Sequence, residues 1–208
     1  MLDVAWVLFF TASLLLIITP GQDMILVMSR SIAMGSRAGV ATAVGVSIGL
    51  VGHTILATLG LGALLRASEP LFLAFKIAGA AYLVYLGIAM LRGSALELSV
   101  DAAPRRSFAR LVGAGAVSNI SNPKIAIFYF AFLPQFIGPQ DARPALTILV
   151  LGLAFAALTF LVKGPVGLFA GLLSGWLRAR PGVQRWIHRG SGAVLIGLGA
   201  RLVFERRS

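Results

Sequence analysis

The sequence predicts an all-α integral membrane protein, and three observations support this fold class. Of the 208 residues, 58% are hydrophobic and 12% are charged, and the mean hydropathy is +0.92. A soluble domain carries about 25% charged residues. The apolar residues form segments that each reach the roughly 17–20 residues a spanning helix needs. These six segments are 4–32, 39–65, 71–91, 111–137, 145–173 and 187–204. Two of them, the first and the fourth, contain an internal break.

The first segment is interrupted by Thr19-Pro20-Gly21-Gln22-Asp23. Proline has no amide hydrogen and its ring clashes with the preceding turn, so a helix is expected to break or kink here. As one straight helix with a rise of 1.5 Å per residue, this segment would also extend beyond a bilayer core of roughly 30 Å. A break that re-aims the two halves removes that excess length.

The fourth segment has a second break at Asn122-Pro123-Lys124. Each break leaves backbone groups without intrahelical partners and adds an ionisable side chain. Such backbone is tolerated at membrane depth only inside protein or beside a water-filled cavity. A charged side chain at the centre of a spanning helix costs about 2.5–3.5 kcal/mol on insertion scales. The two breaks therefore predict an internal polar cavity, an arrangement typical of transport sites.

The second segment combines a glycine face with a histidine. Gly45 and Gly49 recur every fourth residue, a spacing that lets helices approach closely. His53 lies on the same stripe at helical spacing, which predicts that it points toward the first break. An imidazole there can handle a proton or can hydrogen-bond a neighbouring helix, and the sequence leaves both roles open.

The third and fifth segments each contain one lysine. Lys76 lies a few residues inside the third segment, and Lys163, followed by Gly164-Pro165, lies near the end of the fifth. A long lysine side chain near a helix end can reach the membrane interface. Each lysine can therefore face the cavity or extend to the interface, and the sequence does not decide between the two.

The chain is expected to contain an inverted repeat within one transporter domain, residues 1–208. A shift of about a hundred residues brings Pro20 onto Pro123 and the second segment onto the fifth. The halves are about 1–104 and 105–208. Three spans per half is an odd number, so the second half must enter the membrane from the opposite side. Secondary transporters commonly place broken helices at matching positions of such halves, with the site between them.

The net charge of +11 is interpreted as a topology signal and not as a nucleic-acid surface. Ten basic residues cluster after the first, third and fifth segments, against five on the other side. The positive-inside rule places those loops, including 92–110, in the cytoplasm and both termini outside. The basic C-terminal tail, 201–207, opposes this orientation. Contact with the lipid bilayer accounts for the remaining excess charge.

The two breaks supply both signs of charge for a small zwitterion. Asp23 opposite Lys124 is the expected pair, because buried charges need partners. Asp23 can instead hold a substrate ammonium group or take up a coupling proton, while a substrate carboxylate competes for the lysine. The predicted binding and coupling residues are Thr19, Pro20, Gly21, Gln22, Asp23, Asn122, Pro123, Lys124, Lys76 and His53.

Other classes of function fit the sequence less well. Cysteine is absent, which excludes thiol chemistry. The two histidines, His53 and His188, form no recognisable catalytic or metal-binding pattern, so no enzyme activity, metal or cofactor is expected. The sequence contains no nucleotide-binding motif, so direct use of ATP is not expected. A small-solute channel is the nearest alternative, because polar breaks can also line a pore; a membrane-embedded enzyme is a weaker one.

Five stretches resemble the LysE/RhtB family of amino-acid exporters across nearly the whole chain. They are TPGQD at 19–23, GSRAG at 35–39, KIAGAAYLVYLG at 76–87, SNISNPK at 118–124 and FLPQF at 132–136. The resemblance implies a multi-pass protein of the bacterial inner membrane that exports amino acids or related metabolites, driven by the proton gradient. Gln22 departs from the family, in which most members carry a second proline at this position. The glycine faces also permit helix association, so a homodimer is compatible with the sequence.

Overall fold

The computed structural model describes residues 5–67, 69–92, 107–137, 141–178 and 180–204. These residues form eight α-helices and one short 3-10 helix, and no strand occurs among them. In chain order they are α1 (Trp6–Ile18), α2 (Gln22–Met34), α3 (Ser36–Ala67), α4 (Glu69–Arg92), α5 (Phe108–Ile120), α6 (Pro123–Phe132), the 3-10 helix Leu133–Phe136, α7 (Pro144–Arg178) and α8 (Pro181–Phe204).

The first predicted break is confirmed between α1 and α2. α1 ends at Ile18, and Thr19 is extended at φ −60°, ψ 124°. A residue before proline is pushed out of the helical region, which explains why Thr19 is not helical and α1 ends at Ile18, two residues before Pro20. Gly21 is also extended, and α2 then begins. The two helices meet at a bend of 51°.

The second predicted break is confirmed between α5 and α6. α5 begins after Ser107, whose hydroxyl accepts the Arg110 N–H at 3.4 Å, and it ends at Ile120. Pro123 is the first residue of α6. Proline suits this position because its fixed φ is helical and its missing N–H would have no intrahelical partner there. Each of the two interrupted segments thus forms two α-helices, which is why the described residues contain eight α-helices where the sequence predicts six spans.

A kink in α7 lies against the turn between α2 and α3. Phe169 is non-helical at φ −110°, ψ 18°, one turn after Pro165. Ser31 Oγ donates to the Gly167 carbonyl at 2.5 Å, and Ser36 Oγ donates to the Leu168 carbonyl at 2.8 Å. Proline and inserted side chains are recognised causes of such kinks. The serines therefore satisfy carbonyls where α7 is irregular.

Glycines hold α3 against α5 and α7 by backbone contact. A Cβ added to Gly39 would lie 2.6 Å from the carbonyl oxygen of Gly167, and one added to Gly45 would lie 2.2 Å from that of Val112. Real Cβ atoms do not approach so closely, so only glycine fits. The predicted role of Gly45 and Gly49 in a close helix crossing is confirmed.

The pair α4 and α8 is held in the same way. A Cβ added to Gly87 would lie 2.6 Å from the carbonyl oxygen of Gly192, and one added to Gly192 would lie 2.7 Å from that of Gly87. Two helices that are far apart in the chain therefore touch through their backbones. Small residues commonly allow this contact in membranes.

An aromatic cluster fills the core between α1, α6 and α7. Phe9 of α1 packs edge-on against Phe136 at 5.2 Å between ring centroids, and Phe132 of α6 packs on Phe155 of α7 at 5.9 Å. All four rings are buried. Aromatic pairs at these separations contribute about 0.5–1.5 kcal/mol beyond their buried area. The cluster therefore packs α1, the first helix of one broken segment, against α6, the second helix of the other.

By length and composition, two helices of the described chain are able to span a membrane alone, over Ser36–Gly60 and Pro144–Ala170. The pair α1 and α2 would make a third if it is one bent span. The six-span inverted repeat and the single-domain boundaries stay predictions. Most of the predicted cytoplasmic loop, 92–110, lies outside the described residues.

Candidate functional site

The two helix breaks meet, and hydrogen bonds join them directly. Asn119 Nδ2, in the last turn of α5, donates to Asp23 Oδ2, in the first turn of α2, at 2.9 Å. Asn122 Nδ2 donates to Gln22 Oε1 at 2.8 Å. Both acceptors are side chains at the start of α2, and both donors lie at the end of α5 or just after it. Two motifs that are about a hundred residues apart in the sequence therefore form one polar junction.

Lys163 of α7 forms an ion pair with Asp23 at this junction. Lys163 Nζ lies 3.3 Å from Asp23 Oδ2, and the two side chains are only 9% and 8% exposed. Asp23 Oδ2 therefore receives both Lys163 and Asn119. Asp23 Oδ1 is buried and has no hydrogen-bond partner among the described residues. A buried ion pair of this kind is costly to desolvate unless its remaining hydrogen-bonding groups are satisfied.

A cavity of about 350 Å³ opens beside the ion pair. This volume lies within the range of small-molecule sites, roughly 300–1,000 Å³. Among the described lining residues, Asp23 and Lys163 are the charged ones. Other polar lining residues are Thr19, Gln22, Asn122 and Thr159, and the apolar ones include Leu16, Ile17, Leu50, Phe128 and Phe155. Pro20 and Gly21 of the first break also line the cavity. The cavity is thus mostly apolar, with its polar groups concentrated near the breaks.

Three side chains of α7 line one wall of the cavity. Phe155, Thr159 and Lys163 are spaced four residues apart, and residues at this spacing share one helix face. The Thr159 hydroxyl donates to the Phe155 carbonyl at 2.8 Å. This wall therefore changes from aromatic to hydroxyl to cationic along a single helix.

Thr19 connects the end of α1 to α8. Its hydroxyl hydrogen-bonds Ser191, and Ser191 Oγ donates to the Leu15 carbonyl at 2.7 Å. The same carbonyl also accepts the Thr19 N–H at 3.2 Å. Ser191 therefore adds a donor from another helix to the end of α1.

His53 contacts the polar junction through the backbone of Asn119. It is buried, and its Nε2 lies 3.1 Å from the Asn119 carbonyl oxygen. Since a carbonyl only accepts, Nε2 is the donor in this bond. The imidazole also contacts the Tyr129 ring at 5.8 Å between centroids. His53 is not among the described lining residues of the cavity. Of the two roles that the sequence leaves open, the structure contains the hydrogen bond to a neighbouring helix.

Three predicted residues have side chains outside the described part of the structure. Pro123 and Lys124 are the first two residues of α6, and Lys76 lies in α4. The predicted pair of Asp23 with Lys124 therefore stays a prediction. In the part of the chain that the structure describes, the cation at Asp23 is Lys163.

Asn119 and Lys163 are absent from the residues predicted to form the site, although the sequence contains a signal for each. Lys163-Gly164-Pro165 repeats the pattern of an ionisable residue beside proline within an apolar segment. Lys163 lies well inside α7 because that helix continues to Arg178, beyond the predicted end of the fifth span. Asn119 precedes Asn122 by three residues, a spacing that places both on one side of a helix end.

Comparison with known proteins identifies similar sequences along almost the whole chain. A family model described as LysE type translocator matches residues 14–206. The homoserine/homoserine lactone efflux protein of Salmonella typhimurium is 33% identical over 204 residues, which cover 98% of each chain. An uncharacterized membrane protein of Pseudomonas aeruginosa is 32% identical over 89% of this chain and 88% of its own.

A leucine efflux protein of Klebsiella pneumoniae is more distant, at 27% identity over 93% of this chain and 92% of its own. No solved structure matches the chain significantly. These two relatives with named substrates are efflux proteins, and their names include an amino acid with a hydroxyl group and one with a branched apolar side chain.

Proposed function

Because the chain belongs to the LysE type translocator family, we propose that it is a secondary exporter of amino acids or related small zwitterionic metabolites across the bacterial inner membrane, coupled to protons. The family and the relatives confirm the resemblance seen in the sequence and the prediction of an integral membrane protein. The efflux of homoserine and leucine by two relatives supports amino acids as the class of solute.

One observation supports this function most strongly: the two helix breaks are bonded to each other beside a cavity that contains an acid and a base. Asp23 and Lys163 line that cavity, and the bonds Gln22–Asn122 and Asp23–Asn119 join its two broken segments. In secondary transporters, discontinuous helices at matching positions of inverted halves commonly surround the substrate. The proposed arrangement is six spans in two inverted halves, 1–104 and 105–208, around this site.

The cavity is proposed to open alternately to the two sides of the membrane. Pairing of Asp23 with Lys163 satisfies both charges when no substrate is bound, which limits the cost of keeping them inside the membrane. Protonation of Asp23 removes its charge and weakens this pair, so one proton taken up at Asp23 changes the contacts between α2 and α7. This carboxyl group is therefore the proposed coupling site.

The proposal is tested by efflux from proteoliposomes that contain the purified chain. Amino acids are first screened for those whose toxicity is relieved by expression, and the best candidate is then loaded into vesicles with an imposed pH gradient. Wild-type protein is expected to move it against its concentration gradient. Flux that only follows the solute gradient would indicate a channel.

The variant Asp23→Asn is expected to abolish the dependence on the pH gradient. Leu161→Ala is the matched control, because Leu161 lies on α7 and is 66% exposed on the outside of the bundle. Unaltered gradient-dependent efflux from well-expressed Asp23→Asn protein would rule out the proposed role of this carboxylate.

A further inference from the structure

The ion pair of Asp23 and Lys163 has unused hydrogen-bonding capacity on both sides. Asp23 Oδ1 is buried without a partner among the described residues. An ammonium has three N–H donors, whereas the described part of the chain offers Lys163 Nζ one acceptor, Asp23 Oδ2, at 3.3 Å. Hydrogen bonds between charged groups are usually shorter, at about 2.7–2.9 Å. This pair is therefore loosely held beside a space of ligand size.

We propose that Asp23 and Lys163 are the two parts of one subsite, which binds the α-ammonium and the α-carboxylate of an amino acid with an uncharged side chain. The substrate opens the ion pair: its ammonium replaces Lys163 at Asp23, and the released Lys163 binds its carboxylate. This inference rests on the proposed function and assigns the substrate class and the role of Lys163 within it.

The exchange leaves no charge unpaired. An α-amino acid carries its ammonium and its carboxylate on the same carbon atom, so both groups can reach two protein charges that are already neighbours. One ion pair inside the protein is replaced by two ion pairs with the substrate. A ligand that has the ammonium but lacks the carboxylate would separate Asp23 from Lys163 and leave the lysine buried without a partner, which is strongly unfavourable.

The rest of the cavity selects against a charged side chain. Its described walls are apolar or carry neutral polar groups, and they provide no third charge besides Asp23 and Lys163. Phe155 and Thr159 continue the face of α7 that bears Lys163, so a substrate held at Lys163 extends its side chain along an aromatic and a hydroxyl group. Apolar and hydroxylated side chains both suit this wall, whereas an additional ammonium or carboxylate would be desolvated without compensation.

Competition in proteoliposomes tests the subsite with wild-type protein. Efflux of labelled L-leucine is measured against unlabelled L-leucine, L-leucinamide, which keeps the ammonium and lacks the carboxylate, and L-lysine. The amide is expected to compete at least about tenfold more weakly than leucine, as loss of a hydrogen bond between charged groups implies. L-lysine is expected to compete weakly as well. If leucine itself is not transported, the same comparison uses the best neutral amino acid from the screen.

The variant Lys163→Gln assigns the carboxylate preference to this residue. It is expected to reduce the ratio between amino acid and amide by about tenfold, because the neutral amide cannot form the ion pair with the carboxylate. Lys163→Arg, which keeps the charge, and Leu161→Ala, on the outer face of α7, are both expected to preserve the ratio. The wild-type competition remains decisive even if the Gln variant does not fold.

The outcomes separate the two proposals. No gradient-dependent efflux of any amino acid by wild-type protein would overturn the proposed function and this inference together. Efflux in which the amide competes as well as the amino acid would overturn the subsite alone. An unchanged ratio in folded Lys163→Gln protein would likewise overturn the role of Lys163 and leave the exporter function intact.

Discussion

Asn119 and Asp23 share a hydrogen bond of 2.9 Å although 96 residues separate them in the chain. Asn119 lies at the end of α5, the first helix of the fourth apolar segment. Asp23 lies at the start of α2, the second helix of the first apolar segment. The position of the only described acidic group in the cavity therefore depends on a helix from the other half of the chain.

Removal of this bond is expected to impair transport more than stability. In Asn119→Ala, Asp23 Oδ2 keeps Lys163 but loses its amide donor, so the carboxylate is held less well. Hydrogen bonds within membrane proteins contribute about 0.6 kcal/mol on average and up to about 1.7 kcal/mol, so the melting temperature should fall only slightly. The efflux rate should fall severalfold or more. Val117→Ala, at an exposed position of α5, is the control for both measurements.

Proline should be tolerated at position 22 and not at position 25. Gln22 is the first residue of α2, where proline costs little, whereas the Ile25 N–H donates to the Gly21 carbonyl at 2.9 Å. Ile25→Pro is expected to destabilise the protein by about 3 kcal/mol or more. Gln22→Pro should fold normally, because proline suits the first residue of a helix. Thermal unfolding in detergent compares them; equal losses would contradict the assigned start of α2.

Gln22→Pro should nevertheless change the rate of efflux. The substitution removes the amide oxygen that accepts from Asn122, and with it one of the two hydrogen bonds that join the helix breaks. Without this bond, separating the two helix breaks costs less free energy. The cavity is therefore expected to open faster, and the turnover rate is expected to rise. A turnover rate equal to that of the wild type would mean that this bond does not limit the cycle.

His53 is expected to stabilise the junction without carrying the coupling proton. Its Nε2 donates to the Asn119 carbonyl, and it is not among the described residues that line the cavity. His53→Gln retains a donor and should keep efflux that depends on the pH gradient. His53→Leu removes the donor and should lower the melting temperature. Loss of the gradient dependence in a folded His53→Gln protein would instead make the imidazole part of the proton path.

A methyl group at the crossing of α3 and α5 is expected to destabilise the bundle. Gly45→Ala places a Cβ 2.2 Å from the Val112 carbonyl oxygen, so the helices must separate, at a cost of about 1–3 kcal/mol. Gly113→Ala is the matched control on α5, because a Cβ there meets nothing within 4 Å. The control should be neutral or slightly stabilising, since alanine favours helix by roughly 0.5–1 kcal/mol. Similar melting temperatures for the two variants would contradict the close crossing.

The helix breaks are predictable from the sequence because their cause is local. Pro20 and Pro123 restrict the residues next to them, and a helix begins or ends within two residues of each proline. A polar cavity at the breaks also follows from a general rule, since unpaired backbone groups cannot face lipid. Neither the breaks nor the polar cavity requires knowledge of how the helices pack in order to be predicted.

The partner of Asp23 is not predictable in the same way. The sequence offers three lysines within or near apolar segments, Lys76, Lys124 and Lys163, for one acid. Which of them meets Asp23 depends on how α7 crosses α2 and α3, and this is fixed by distant contacts such as that of Gly39 with Gly167. Charge balance alone therefore identifies the need for a partner without selecting it.

The glycine contacts also divide the molecule mechanically. They attach α3 to both α5 and α7, and they attach α4 to α8, so each group combines helices from both halves of the sequence. Backbones in contact cannot slide past each other without first moving apart, so we expect each group to move as a unit. Flexing is therefore expected between these two groups, and this division does not follow the midpoint of the sequence. The backbone contacts, and not the order of the helices in the chain, are expected to decide which helices move together.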